Sequence, residues 1–250
     1  MRANKVASKS SMVAMLANAF AHRKVAIGLI VLLLLFALKA GTEGLSNFYA
    51  QSADIEVARW TKPGQQLNGN ESAQVMAYLK TSLSYAPRNP WPLESMGALQ
   101  LHIMRSQTDP RQAEAAARSA ARYFALALAE RPTSPFPWAN LAMSKLSLGE
   151  QDETMLHAIE YAEKAGPWEP DVQQTVIFTG LAVWDKLNAE RRAAVIRAME
   201  RTASRNPEKI LVLAKSYGRL DLFCALPLRD KSALEACAPA GKTEIVRKRN

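Results

Sequence analysis

Glycine-rich loops, β-alternation and clustered metal ligands are all missing from this 250-residue chain. The 11 glycines are scattered, and no Gly-x-x-x-x-Gly-Lys, Gly-x-Gly-x-x-Gly or Gly-x-Ser-x-Gly occurs, which excludes the familiar phosphate cradles and the nucleophile elbow. No stretch alternates apolar and polar residues for the length of a strand. The lone Asn68-Gly69 turn has no β-branched runs beside it. Three histidines and two cysteines form no Cys-x-x-Cys, no His-x-x-x-His and no mixed cluster, so structural zinc and thioredoxin-like redox chemistry lack their ligands. His22 flanks an apolar run and His102 sits late on a helix. His157 shares a helix face with Glu153 and Glu160, which reads as a solvated face with local ion pairs. No metal and no other cofactor is expected.

A basic face is also lacking, despite a formal net charge of +9. Arg2, Lys5, Lys9, Arg23 and Lys24 supply five positive charges before any acid appears. Lys242, Arg247, Lys248 and Arg249, less Glu244, supply three more at the other end, which leaves one for everything between. The body is close to neutral, and nucleic acid is not an expected partner.

What the chain does have is "VAIGLIVLLLLFAL", Val25 to Leu38, without a single charge. Fourteen helical residues cover about 21 Å, short of the roughly 30 Å hydrocarbon core of a bilayer. Lys24 and Lys39 can snorkel from the two ends, and Ala40 and Gly41 extend the run. A buried core helix is the alternative, but an all-aliphatic run beside Arg23 and Lys24 is a poor amphipathic helix. The expectation is therefore a basic leader over 1–24 and a transmembrane helix over 25–40. A cleavable signal peptide shares this pattern, yet Leu38-Lys39-Ala40 offers bulky and charged residues where a cleavage site wants small ones. An uncleaved anchor is expected, with the N-terminus in the cytoplasm and the rest in a bacterial periplasm. Met12 to Ala21 reads either as an interfacial helix or as a floppy leader.

Cys224 and Cys237 suit that topology, since an oxidising compartment can join them across "ALPLRDKSALEA". Two free buried thiols are the alternative. Beyond the anchor, caps and breakers place helices near 45–60, 71–84, 92–104, 110–130, 137–148, 151–165, 170–186, 189–204 and 207–217, with a short one near 231–237. Asp109-Pro110-Arg111-Gln112 carries the pattern of a capping box. "TKPGQQLNGN", Thr61 to Asn70, reads as a linker, so residues 41–70 form a juxtamembrane helix and linker, 71–217 a repeat domain, and 218–250 a C-terminal cap with a basic tail.

Helices end alike at Pro87, Pro132, Pro167 and Pro207, with two helices between successive prolines. The corners echo one another in "RNPWPLES", "TSPFPWAN" and "AEKAGPWEPD", which brings Trp91, Trp138 and Trp168 together as a set. This pattern over 71–217 resembles the tetratricopeptide repeat. Trp138-x-x-Leu141-Ala142 matches its first helix, and Leu93-x-x-Met96-Gly97 matches with the tryptophan two residues upstream. Ala117, Ala120, Phe124 and Ala127, then Ala158, Ala162 and Ala165, match the small-residue stripe of its second. Val172-x-x-Thr175-Val176 departs, with neither Trp nor Gly, and Gln100, Lys145 and Thr179 stand where the family has Tyr. The resemblance implies an all-α fold: one N-terminal transmembrane helix followed by a TPR-like α-solenoid of antiparallel helix pairs.

"RPTSPFPWANLAMSKLSLGE", "AGPWEPDVQQ" and "GLAVWDKLNAERRAAV" behind a single anchor also resemble the membrane-tethered, TPR-like proteins of bacterial exopolysaccharide loci, the VpsP-type family. That implies a part in making or exporting surface polysaccharide. The family's concave positions fall on Ala98, Leu101, Ala139, Met143, Leu146, Gln173 and Ile177, an apolar groove suited to a partner helix. Ordinary inter-helix core is the alternative for the same side chains. Trp168 is a further candidate contact, and Trp60, Trp184, Arg191 and Arg192 are further interaction candidates without a stated role.

The expected function is a non-catalytic scaffold whose partners are the lipid bilayer, through one helix, and membrane proteins of an envelope or polysaccharide assembly. An adaptor for pilus, secretion or division machinery is the alternative. A glycan-active enzyme using Asp171, Asp185 or Glu94 ranks last, because such residues at helix ends are usually caps or surface. The topology makes a direct prediction: an enzyme reporter fused after Gly64 is active only when it requires the periplasm, and activity from a cytoplasm-dependent reporter would reverse the orientation.

Overall fold

The computed structural model describes residues 3–60, 69–227 and 231–237, with side chains for 23–57, 69–227 and 234–237. It is all-α among those residues: a long N-terminal helix precedes consecutively packed helices that resemble a helical repeat array. In chain order they are α1 (Ala3–Trp60), α2 (Gly69–Tyr85), α3 (Pro90–Ser106), α4 (Pro110–Glu130), α5 (Pro135–Ser147) and α6 (Glu153–Ala165). α7 (Pro170–Ala182), a 3-10 turn (Trp184–Lys186), α8 (Ala189–Ala203), α9 (Pro207–Ser216), α10 (Leu220–Cys224) and α11 (Lys231–Ala236) follow.

Leader, apolar run and juxtamembrane helix are one rod of 58 residues. No proline interrupts residues 3–60, and Gly28, Gly41 and Gly44 cost about 1 kcal/mol each, too little to stop a helix of this length. Within it, Arg23–Val57 holds a window long and apolar enough to cross a membrane, none of it buried. The same rod then changes role. Ser46, Ala50 and Ala53, spaced to lie on one face, are fully buried against α2 and the start of α3. The Ser82 hydroxyl donates to the Ser46 carbonyl (2.7 Å), Asn89 Nδ2 donates to Ser46 Oγ (3.1 Å), and the Tyr49 and Tyr85 rings stack at 5.9 Å. The juxtamembrane helix is thus the first member of the array rather than a segment held off by a linker. Of that linker, 61–68 lie outside the described residues, whereas Gly69 and Asn70 open α2.

Proline at the first helical position opens α3, α5, α7 and α9, and each follows a residue in extended conformation or close to it. Its fixed φ suits that place, where no backbone N–H is needed. Asn89 accepts from the Trp91 N–H (3.1 Å), which starts α3 at Pro90, two residues before the expected boundary. α5 likewise starts at Pro135. Asp109 caps α4 by accepting from the Arg111 N–H (3.0 Å). α7 stops at Ala182, short of the expected 186, and the chain tightens into the 3-10 turn.

Counting from these prolines gives the register. The fourth residues are Leu93, Trp138, Gln173 and Ile210; the seventh are Met96, Leu141, Val176 and Leu213; the eighth are Gly97, Ala142, Ile177 and Ala214. Every eighth residue is buried. The unit opening α7 is therefore Gln173-x-x-Val176-Ile177, one residue on from the expected Val172-x-x-Thr175-Val176. Trp91 corresponds to Phe136, both at the second position, and Trp138 corresponds to Leu93.

Close approach is set by glycine at two of these helices. A Cβ on Gly97 would lie 2.7 Å from the buried Phe124 ring of α4, and one on Gly180 would collide with Val195 of α8. The buried core runs as three linked clusters, from Val75, Leu79 and Met96 through Phe124 and Leu141 to Met155, Ile177 and Met199. Each layer touches its neighbours, as in a stacked array. At the far end a disulfide joins Cys224 of α10 to Cys237, 13 residues on, just past α11. Closing a loop of that length contributes about 3 kcal/mol by restricting the unfolded chain. The basic tail of Lys242 and Arg247 to Arg249 lies outside the described residues.

Gly97→Val forces a branched side chain into the Phe124 ring and is expected to lower unfolding stability by about 2–3 kcal/mol, read by urea denaturation. Ala98→Val, on the exposed neighbour, costs no more than about 0.7 kcal/mol of helix propensity. Equal losses at both positions would mean that α3 and α4 do not meet at Gly97.

Candidate functional site

The residues assigned to a concave groove divide in two. Leu101, Ala139, Gln173 and Ile177 are buried: Leu101 joins Ala120, Phe124 and Leu128 of α4, and Ala139 and Ile177 join the cluster built with α6 and α8. They are core, and a partner cannot reach them. Ala98 is exposed; Met143 and Leu146 are half-buried at the margins of two core clusters. No continuous apolar groove joins the seven.

Trp168 differs from all of these, with 68 % of its surface exposed. Its position follows from the corner between α6 and α7. Gly166 ends α6 so close to Pro135 that a Cβ there would meet the proline ring at 2.7 Å. Gln173 Nε2 donates to the Gly166 carbonyl (2.7 Å), and the Glu169 N–H donates to it as well (3.3 Å). With the backbone pinned inward on both sides, the indole of Trp168 is left outside. The Arg201 guanidinium of α8 lies over it, 5.7 Å from the ring centroid.

Arg201 is held by a buried carboxylate. Glu163 of α6, with 3 % of its side chain exposed, accepts from Arg201 Nη1 (2.6 Å) and from Arg197 Nη2 (2.6 Å) and Nε (3.2 Å). Arg201 Nη1 also donates to Gln173 Oε1 (3.1 Å), so one network ties α6, α7 and α8. Burial pushes the Glu163 carboxyl up, but the hydrogen bonds and charges of Arg197 and Arg201 outweigh it and hold the group below its ordinary value.

Above this network, between Trp168 and the start of α9, opens a cavity of about 190 Å³. Arg201, Arg205 and Lys209 line it with positive charge, against the single carboxylate of Asp171. A shallower depression on the other flank of Trp168 is bordered by Arg131 and by Phe136, which is 40 % exposed. The corners form a connected row. Arg88 pairs with Glu130 (2.9 Å) and Arg131 with Glu94 (2.7 Å), joining the first corner to the second. Pro135 against Gly166 joins the second to the third, and the Trp168 cavity joins the third to the fourth. Because Asn89 bonds Ser46 and Asn47 of α1, this row lies at the end of the array nearest the apolar rod.

The remaining candidates are structural. Arg191 pairs with both Glu153 and Glu160, clamping α8 to α6, and His157 packs edge-on against Trp138 at 5.4 Å. The Glu/His/Glu face is thereby occupied, and no group of three metal-ligating side chains exists among the described residues. Trp184 is buried beneath Arg192, 5.5 Å from its ring centroid, and the side chain of Trp60 lies outside the described residues. Glu94 pairs with Arg131; burial raises its carboxyl more than the arginine lowers it. Asp185 pairs with Arg219 (2.5 Å) at the opposite end of α7 from Asp171, about 20 Å away at helical rise. The three carboxylates do not converge.

Glu163, Arg197, Arg201, Arg205 and Lys209 were not singled out in the sequence. One signal was there: Glu163 falls on the stripe of Met155, Ile159 and Ala162, where a carboxylate needs a partner.

The carboxylate sets an acid limit. A depressed value means that the stability Glu163 contributes is fully present above the ordinary carboxylate range and is lost as pH falls through the lowered one. Glu163→Gln is expected to cost about 2–4 kcal/mol at neutral pH, discounted because Arg197 is half exposed, and to flatten the decline as pH falls below the ordinary carboxylate range. Urea denaturation across that range checks both; an unchanged acid limb in the variant would remove Glu163 as its cause.

The sequence matches no known protein-family model and no curated protein.

Proposed function

We propose that this chain is a single-pass membrane protein whose helical array serves as a non-catalytic, periplasmic scaffold for protein partners in surface-polysaccharide assembly. The observation that carries the reading is α1: one uninterrupted helix has an apolar stretch exposed on every side and, eight residues after Leu38, the buried Ser46 that begins the array. Eight residues of helix rise about 12 Å. An array so attached stays against the membrane surface, where confinement raises its effective concentration toward other membrane components and modest affinity suffices.

Three further observations support it. The disulfide between Cys224 and Cys237 fits an extracytoplasmic domain. Stacked helix pairs with a Pro-led register fit a divergent tetratricopeptide-like array, whose usual work is binding. Trp91, Phe136 and Trp168, with 37 %, 40 % and 68 % exposure, stand on the corner row nearest the apolar rod and suit contacts with a membrane partner. The polysaccharide assignment rests on the resemblance to the VpsP-type proteins alone.

Photo-crosslinkers placed at Trp91, Phe136 and Trp168 in intact membranes test the reading. Capture of a polysaccharide polymerase, ligase or export component, with altered surface polysaccharide in a deletion strain, is expected. Capture of pilus, secretion or division components would replace the polysaccharide part. Soluble proteins only, with unchanged polysaccharide, would sink the scaffold.

A further inference from the structure

The cavity beside Trp168 holds chemistry that a packing corner does not require. Its size excludes an extended chain: about 190 Å³ lies below the roughly 300–1,000 Å³ of pockets that enclose drug-sized ligands. One small ring or one ionic group fits. Charge selects among these. Arg201 shares the Glu163 carboxylate beneath it with Arg197, whereas Arg205 and Lys209 have no acidic partner among the described residues and face the opening. The Arg205 side chain has no hydrogen bond or ion pair among the described residues, and Lys209 Nζ bonds only the neutral Oε1 of Gln174 (2.5 Å). Two cations are thus available for an anion.

A bare inorganic anion uses only part of the lining. Asp171 puts a carboxylate on the same wall, which repels a multiply charged phosphate but accepts hydrogen bonds from hydroxyl groups. Thr202 and Asn206 bring further polar groups, the amide of Asn206 having its oxygen already engaged by the Lys209 N–H (3.1 Å) and its NH₂ still to donate. The exposed indole of Trp168 offers a flat apolar face. The ligand that matches all of this has one negative charge, several hydroxyls and an apolar C–H face on a single ring.

We propose that the Trp168 cavity binds one uronate-type acidic sugar unit, its carboxylate at Arg205 and Lys209, its hydroxyls at Asp171 and Asn206, and its C–H face on the indole. The chemistry rests on the lining; the source, an acidic polysaccharide at the membrane surface, rests on the functional reading above. An array holding such a unit contacts the polymer directly as well as the proteins that build it.

The experiment uses the full chain in nanodiscs, with calorimetry and saturation-transfer NMR. The probes are a glucuronate trimer, a neutral glucose trimer, inorganic phosphate and acetate. The uronate is expected to bind saturably, at least tenfold tighter than the neutral trimer, without competition from phosphate or acetate at equal concentration. Trp168→Ala and Arg205→Ala, both at exposed positions, are each expected to weaken it at least tenfold with an unchanged unfolding midpoint. Absence of saturable uronate binding, equal binding of the neutral trimer or phosphate, or indifference to both substitutions overturns the proposal. Partner crosslinking kept in Trp91- and Phe136-labelled protein while sugar binding fails confines the loss to the cavity; failure of both removes the scaffold reading too.

Discussion

Proline at the first position of α3, α5, α7 and α9 is the constraint from which the rest of the array follows. It fixes φ where a helix must begin, and it forbids the preceding helix from running on, so each pair of helices turns at a defined residue. Position two then points outward, which is why Trp91 and Phe136 are exposed and why Asp171 and Glu208 can occupy the same place in later units. Position eight points inward, where only Gly, Ala or Ile occurs, and the size of that side chain sets how near the paired helix comes. Trp138, the fourth residue counted from its proline, is drawn partly into the core and spends its indole N–H on the Pro132 carbonyl (2.7 Å).

Where the corner lacks an inward aromatic, polar groups take over. Gln173 occupies in α7 the place of Trp138 in α5, and a buried amide there must be satisfied. Its donor goes to Gly166 and its acceptor to Arg201, which in turn requires Glu163. Burying a carboxylate costs several kcal/mol, and two guanidiniums with three short hydrogen bonds are what make it tolerable. The consequence reaches the surface: the same arginine sits over Trp168, so the candidate site inherits its geometry from a core substitution one helical turn away.

How much of this could be read from the residues alone depends on sequence distance. Helix type and most helix starts were legible, because caps and prolines act within four residues: Asp109-Pro110 and Asn206-Pro207 mark α4 and α9 without reference to anything else. The apolar run was legible for the same reason, whereas Cys224 and Cys237, 13 residues apart, left a bridge and two free thiols both open. The continuity of α1 was not, since polar residues between Lys39 and Asn47 read as a boundary although nothing there breaks a helix. The register of α7 slipped by one because Trp and Gly, the residues that anchor the repeat pattern, are replaced by Gln173 and Ile177. Groove positions transferred from a repeat family put Leu101 and Ile177 on an open surface, whereas both lie in the buried core shared with the second helices. Glu163 meets Arg197 and Arg201 across 34 and 38 residues, a separation at which one sequence carries no pairing signal.

The continuity of α1 also bears on how its apolar stretch is coupled to the Trp168 corner. In a stacked array each unit senses only its neighbours, so a displacement of α1 reaches Trp168 through the intermediate layers, by their cores as well as their corners. The first step is Asn89 on Ser46, the second the exposed pairs Arg88 with Glu130 and Arg131 with Glu94, and the third the contact of Pro135 with Gly166. Exposed ion pairs yield more readily than the close-packed proline and glycine. The junction of the first and second corners is therefore softer than that of the second and third.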